Sequence, residues 1–333
     1  MREIEIGSFE AGQRLDKFLE KYMDLAPKSF FYKMLRKKNI TLNGKKAEGS
    51  ERLAEKDLVK LFLAEETIDN FRSKKEQSLI MSSNESEDLD IIFENDHVLL
   101  INKPAGMLSQ KAKKEDISLV EHLTTYLLDK GDILKAQLAT FRPGICNRLD
   151  RNTSGIIVAG KSLYGLQTMS KQIKVRDLDK YYYTIVKGTI DKKQTIDGYL
   201  YKLNNRNKVV ISKEPIEDGD YIETEYLPIA SNGAYTLLRV KLITGRSHQI
   251  RAHLQSIGHP VIGDGKYGDV LVNKEMKKKY KLRNQLLHAR ELHFGDMPKE
   301  LSDMAYRSFY APFPEQFVSI IDGEFHLSTK ELE

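Results

Sequence analysis

The chain has 333 residues, enough for two domains at roughly 100–200 residues each, and its 40% hydrophobic and 30% charged residues exclude a disordered or collagen-like polypeptide. Its longest apolar runs, Val98–Ile101 and Ile156–Ala159, fall far short of the roughly 20 residues that span a bilayer, and Met1–Glu10 has no apolar block of the signal-peptide kind. The formal net charge is +5, and the single cysteine, Cys146, excludes an internal disulfide and any CxxC zinc pair, so a reducing cytoplasm is the expected location.

Leu15, Phe18, Leu19, Tyr22 and Met23 recur at helical spacing and predict a first amphipathic helix. A second begins at Pro27-Lys28 and ends at Asn39. Ile40–Leu42 reads as a strand entering an Asn43-Gly44 turn, and Leu58–Leu63 as a later strand. The charge is concentrated here: Lys28, Lys33, Arg36, Lys37, Lys38, Lys45 and Lys46 occur without one Asp or Glu between them. Such a run is either a solvated face or the electrostatic footprint of a phosphate-backbone binder. Residues 1–64 are therefore expected to form a small basic module. Residues 65–89 turn polar and read as a linker, too poor in apolar surface to repay ordering.

A larger domain is expected over 90–333. Strands are predicted at Ile91–Glu94 and Val98–Asn102, and helices at Ser118–Leu128 and Leu163–Ile173. Strands then dominate, at Tyr182–Val186, Gly198–Leu203, Lys208–Ser212, Tyr221–Ile229 and Tyr235–Ile243. A helix near Ser247–Ile257 is stopped by Gly258. Hairpin-linked strands without regular βαβ alternation predict an α+β fold around a mostly antiparallel mixed sheet.

Four segments of this domain combine Gly, Pro and charge in ways that packing does not require. Lys103-Pro104-Ala105-Gly106 follows an apolar strand, and is either a structural turn or a presentation of Lys103. Arg148-Leu149-Asp150-Arg151-Asn152-Thr153-Ser154-Gly155 crowds polar groups ahead of the strand Ile156–Ala159; Asp150 either faces a cleft or caps its own loop through Asn152 or Thr153. Lys180-Tyr181-Tyr182-Tyr183 sets Tyr182 opposite Tyr181 and Tyr183 on a strand, where a tyrosine is core or a surface for stacking a base. Thr244-Gly245-Arg246-Ser247-His248-Gln249-Ile250-Arg251 places Ser247 as the expected N-cap of a helix whose start, with Arg246, favours an anion, and Arg251 on the same side four residues on. His248 and His253 lack metalloenzyme spacing, and Cys146 reads as a small buried hydrophobe; no metal site is expected.

Together these segments resemble the RluA-type family of RNA pseudouridine synthases, which includes RluC- and RluD-like members. Arg148–Gly155 resembles the family's signature around its catalytic aspartate. Lys103–Gly106, Lys180-x-Tyr182-x-x-x-Val186-x-Gly188, Thr244–Arg251, Gly258-His259-Pro260, Gly263-Asp264 and Leu287-His288-Ala289 resemble its other motifs in the same order. The likeness covers about residues 90–315, and residues 13–62 resemble an S4-type RNA-binding domain. One departure is Asn147, where the family usually has histidine. The resemblance implies isomerisation of uridine within RNA, without cofactor or metal. Asp150 would be the nucleophile at C1′ or assist glycal formation, Arg251 would pair with it and favour its charged form, and Tyr182 would stack on a flipped uracil. Lys28, Lys33, Arg36, Lys37, Lys38, Lys45, Lys46, Lys103, Arg148, Arg151, Arg246 and His248 are the expected RNA contacts. Large-subunit (23S) ribosomal RNA is the expected partner of a monomeric enzyme with no membrane association. A transfer-RNA target, or a noncatalytic ribosome-assembly factor, are the alternatives.

Overall fold

The structure is a computed structural model that describes all residues except 8, 73–87, 114, 203–207 and 333. The expected strand end at Leu203 and most of the polar stretch before Asp90 thus lie outside the described residues. No helix among those described is long and apolar enough to cross a membrane.

The N-terminal module contains β1 (Arg2–Glu5), α1 (Leu15–Tyr22), α2 (Lys28–Arg36), β2 (Ile40–Leu42), β3 (Lys45–Lys46) and β4 (Leu58–Leu61). Its four strands are ordered β1-β4-β2-β3, all antiparallel. Phe18, Leu19, Phe31, Leu35, Ile40, Val59 and Leu61 meet in one core, which is the apolar stripe that the helical spacing anticipates. Asn43 and Gly44 both have positive φ, as the tight turn between β2 and β3 requires. The stretch expected to be linker from residue 65 instead opens as α3 (Glu65–Asn70). Its Ile68 is buried in the module's core, with Phe71 packed against it. A six-residue helix carries too few apolar positions to show periodicity, so composition alone read it as polar chain.

The larger domain is a mixed sheet of eleven strands. Its strands are β5 (Ile91–Glu94), β6 (Val98–Lys103), β7 (Gly144–Ile145), β8 (Ser154–Gly160), β9 (Leu178–Lys187), β10 (Gln194–Lys202), β11 (Val209–Ser212), β12 (Asp220–Ser231), β13 (Tyr235–Leu242), β14 (Leu287–Phe294) and β15 (Ser308–Tyr310). The main order is β11-β10-β12-β13-β9-β14-β8-β6-β5, with β15 on β14 and β7 on β8. Among the described residues every pairing between these strands is antiparallel except β14 with β8. The α+β expectation holds.

Helices cover both faces of this sheet. α4 (Leu119–Asp129) and α6 (Gln249–Ser256) pack Leu119, Leu123, Leu127, Ile250 and Leu254 on one side, against Leu99, Ile101, Ile157 and Val240. α5 (Leu163–Val175) places Met169 on the other, against Val98, Leu100, Ile156 and Val158. This double covering explains the continuous apolar runs of β6 and β8, which alternate to neither face because both faces are dry. α7 (Val270–Tyr280) and α8 (Glu315–Phe325) cover the region around Tyr183, Ile185 and Tyr235. Gly155 makes the β8–β14 contact possible: a Cβ there would stand 2.2 Å from the Ala289 carbonyl oxygen, and its φ is +111°. The module meets the larger domain where Phe9 stacks on Phe141, ring centroids 6.0 Å apart, and Thr140 Oγ1 donates to Glu10 Oε1 at 2.7 Å.

Candidate active site

The Arg148–Gly155 segment leaves a turn, and its position is fixed on both sides of residue 150. Ser109 Oγ donates to the Leu149 carbonyl at 2.7 Å and accepts the Leu149 N–H at 3.1 Å. On the far side the Arg151 carbonyl accepts the Gly106 N–H at 2.8 Å and Lys103 Nζ at 3.1 Å. Lys103 is completely buried, and its ammonium also donates to the Pro104 and Met107 carbonyls at 2.8 and 3.0 Å. Burial pushes it down to about 7, opposed by the charge of Asp150. The expected RNA contact at Lys103 is therefore corrected. A lysine at a strand end with three carbonyls in reach turns inward, where it ties the 104–107 turn to the aspartate loop.

The Asp150 side chain does not cap its own loop; Thr153 N–H bonds to the Asp150 backbone carbonyl at 3.0 Å, and Thr153 Oγ1 accepts from Gln285 at 2.8 Å. Asp150 Oδ2 instead accepts Arg251 Nη1 at 2.6 Å. The same guanidinium is held from behind by Asp264, Nε to Oδ2 at 2.6 Å and Nη2 to Oδ1 at 2.9 Å. Burial works against charge on Arg251, but the two carboxylates hold it firmly protonated. Burial alone would raise Asp264; Arg251 and the N–H groups of Lys266 and Tyr267 bring its carboxyl below the usual range. A fully buried carboxylate thus fixes the cation that faces a half-exposed one.

Arg251 comes from α6, and the start of that helix differs from expectation. Ser247 is not its N-cap: His248 occupies that position in the left-handed region, φ +59°, with no side-chain cap bond. Gln249 organises the turn. Its Oε1 accepts Thr244 Oγ1 at 2.9 Å and the Arg246 N–H at 3.1 Å, while Nε2 donates to the Glu223 carbonyl and Thr224 Oγ1, both at 3.0 Å. A carboxamide satisfies both polarities at once, which a serine hydroxyl reaches less far to do. The backbone reversal aims His248 into the site. Its Nδ1 lies 2.9 Å from Tyr267 Oη, which accepts the Val209 N–H at 2.9 Å, and its Nε2 lies 3.9 Å from Asp150 Oδ1.

Asp150, Arg251, Tyr182 and His248 line one open cleft of about 720 Å³. Tyr182 lies on β9, paired with Val240 of β13 and Ala289 of β14, and is nearly buried. Burial, then Asp150, pushes its phenol well above the ordinary tyrosine range, so it keeps its proton and presents an apolar ring. Arg148 and Arg246 also line the cleft and are exposed; Arg246 pairs with Asp220 at 2.9 Å. Arg151 is exposed and points elsewhere than this lining. In the module Lys28, Lys33, Arg36, Lys37, Lys38, Lys45 and Lys46 are all exposed. Lys28 is 3.6 Å from Glu20, and the other six have no carboxylate within 4.0 Å among the described residues.

Asp264, Gln249 and Tyr267 escaped the sequence reading as parts of the site. The Gly263-Asp264-Gly265 turn held the one usable signal, an acid between two glycines, where side-chain acceptors commonly bind the following N–H groups. The departure at Asn147 is resolved locally. Its carboxamide donates to the Ile156 carbonyl at 3.3 Å and accepts the Val158 N–H at 2.8 Å, continuing the edge of β8 beyond β7.

The RNA pseudouridylate synthase family profile matches residues 97–256, which contain the aspartate loop, the β9 tyrosines and α6. An RNA pseudouridine synthase of Mycoplasma genitalium is 31% identical over 293 residues, 85% of this chain and 85% of that one. The chain belongs to the RluA-type RNA pseudouridine synthases. A second relative of this pseudouridine synthase, the ribosomal large subunit pseudouridine synthase C of Vibrio vulnificus, is 28% identical over 328 residues, covering 96% of this chain and 95% of its own. Among solved structures, human RNA pseudouridylate synthase domain containing 4 aligns over 69% of this chain and 91% of its own, with a TM-score of 0.55 and 21% identity, a likeness of fold. The enzyme is an RNA isomerase of this class.

Proposed function

We propose that this pseudouridine synthase acts on specific uridines of large-subunit ribosomal RNA, with Asp150 as the reacting carboxylate. The observation that carries the reading is the asymmetric setting of that carboxylate. Oδ2 is held by Arg251 at 2.6 Å, and Oδ1 stands 3.9 Å from His248 Nε2, with no hydrogen bond among the described residues, in a cleft whose wall includes the Tyr182 ring. One oxygen is positioned and the other is open to a substrate.

The reaction then runs within a single nucleotide. A target uridine leaves its stack, and uracil lies against Tyr182. The Asp150 carboxylate either attacks C1′ or takes the C2′ proton; in both cases the N1–C1′ bond breaks and uracil departs as an anion. After the ring turns, C5 bonds to C1′ and the carboxylate is released or returns its proton. C5 loses a proton and N1 gains one, so composition is unchanged. Tyr182, holding its proton, contributes a stacking surface and a hydroxyl donor rather than a base. The N-terminal module, extended through α3, grips RNA backbone with its exposed cations as an S4-type domain, and Arg148, Arg246 and His248 meet RNA at the cleft.

The ribosomal target is supported by the whole-length similarity to a ribosomal large subunit pseudouridine synthase C. The test is a pseudouridine map of ribosomal and transfer RNA from cells with and without the gene. The expected result is loss of one or more sites in large-subunit ribosomal RNA alone. Loss confined to transfer RNA would move the target, and an unchanged map would leave a noncatalytic RNA-binding factor.

A further inference from the structure

Lys180 stands two residues before Tyr182 on β9, so both side chains leave the same face of the strand, and both line the cleft. The other cations of the lining that lie close to carboxylates are neutralised. Arg251 has Asp150 and Asp264, Arg246 has Asp220 at 2.9 Å, and Lys111 has Glu121 at 3.5 Å. Lys180 is half-buried, and among the described residues no carboxylate comes within 4.0 Å of it and no acceptor within hydrogen-bond reach. Burial, and then repulsion from Arg176, push its ammonium down. Gly245 of the cleft wall lies beside it: a Cβ at that glycine would stand 3.7 Å from Lys180 Nζ, an ordinary contact distance.

A half-buried ammonium with no partner costs stability in the free protein, so its place calls for an anion that arrives from outside. Two residues along a strand cover about 6.6 Å, about the reach from a ribose to the phosphate of the adjoining nucleotide. We propose that Lys180 binds the backbone phosphate next to the uridine held between Asp150 and Tyr182. This rests on the reading that the cleft holds a target nucleotide. On binding, the phosphate oxygens supply the charge-assisted hydrogen bonds that the protein itself withholds.

The test compares Lys180→Met and Lys180→Arg in the full chain, using an unmodified transcript of large-subunit ribosomal RNA. Tritium release from 5-tritiated uridines reads the reaction. Lys180→Met is expected to raise KM about tenfold while kcat stays within about twofold, and to reduce the slope of log Kd against log salt by about 0.7–0.9, one phosphate contact. Lys180→Arg should restore most of both. The Tm of Lys180→Met should equal or exceed that of the wild type, because an unpaired charge has been removed. Wild-type KM and salt slope in Lys180→Met would overturn the proposal. So would a lowered Tm, or a loss in kcat alone, that Lys180→Arg does not repair. The parent reading fails separately, through product formation by Asp150→Asn or none by the wild type. The salt slope comes from binding alone and judges Lys180 in either event.

Discussion

Asp264 decides how well the site holds its geometry, although it touches no open part of the cleft. Its two carboxylate oxygens grip Arg251, and among the described residues the remaining guanidinium hydrogen bond goes to Asp150. Asp264→Asn keeps the volume but removes the charge and one acceptor. It is expected to lower kcat about 10- to 100-fold, the scale on which small misplacements act, and to reduce stability, because a buried cation loses a buried partner. Single-turnover kinetics and a denaturant melt would check both, and a wild-type kcat would remove Asp264 from the positioning of the site. At this scale the sequence was legible where a residue's chemistry is unusual for its surroundings. Asp150, Arg251 and Tyr182 stood out as an acid, a cation and a ring amid turn formers and apolar strands, and they share one cleft. Lys103 was misread because the residue type does not say whether a lysine at a strand end turns to solvent or to carbonyls. Ser247 was misread because capping propensity belongs to the residue, while the helix start was set by Gln249 and the left-handed His248.

Between elements, the β8–β14 seam carries the site's support, since β8 continues from the aspartate loop. His288 lies there, completely buried; its Nδ1 is 2.8 Å from Ser154 Oγ and its Nε2 is 3.4 Å from the Ala311 carbonyl. Burial pushes its imidazole down to about 3, against a weaker opposing pull from the Ala311 carbonyl. Between about pH 6.5 and pH 3 the unfolded chain therefore binds a proton at this position that the folded chain refuses. Stability contributed by the neutral ring is complete above 6.5 and is lost as pH falls toward 3, by at most about 1.4 kcal/mol per pH unit. Unfolding free energies of His288→Gln and wild type should diverge in slope over that window and run parallel above it; parallel curves throughout would contradict a neutral buried histidine. The paired strands with clear runs, β6, β8 and β13, were legible before the structure. β14 was not, because its sequence LHARELHF buries His288, Arg290 and Glu291 and so lacks an apolar pattern. α7 was not legible because its apolar face is narrow, with Met276 its buried residue, whereas α8 does carry Phe317, Ile320 and Ile321 at helical spacing, a signal that was not used.

Across the whole molecule, a small basic module is joined to the sheet domain through Phe9, Glu10, Thr140 and Phe141. Charge was readable from sequence because it concentrates in nineteen consecutive residues, 28–46, whereas strand order was not, since long-range pairing leaves no local trace. On the proposed reading the exposed cations of the module grip RNA and take no part in the chemistry. A triple change, Lys33, Lys37 and Lys45 to Glu, is expected to weaken RNA binding and reduce its salt slope by about 2, with kcat at saturating RNA within about twofold of wild type. Unchanged affinity and salt slope in a filter-binding titration would assign these lysines to solvent. The proposed reaction turns on the open oxygen of residue 150. Its most direct test is product formation by Asp150→Asn in a single turnover with unmodified large-subunit ribosomal RNA. The prediction is no detectable pseudouridine at near wild-type RNA affinity and melting temperature; pseudouridine formed at an unimpaired rate would contradict it.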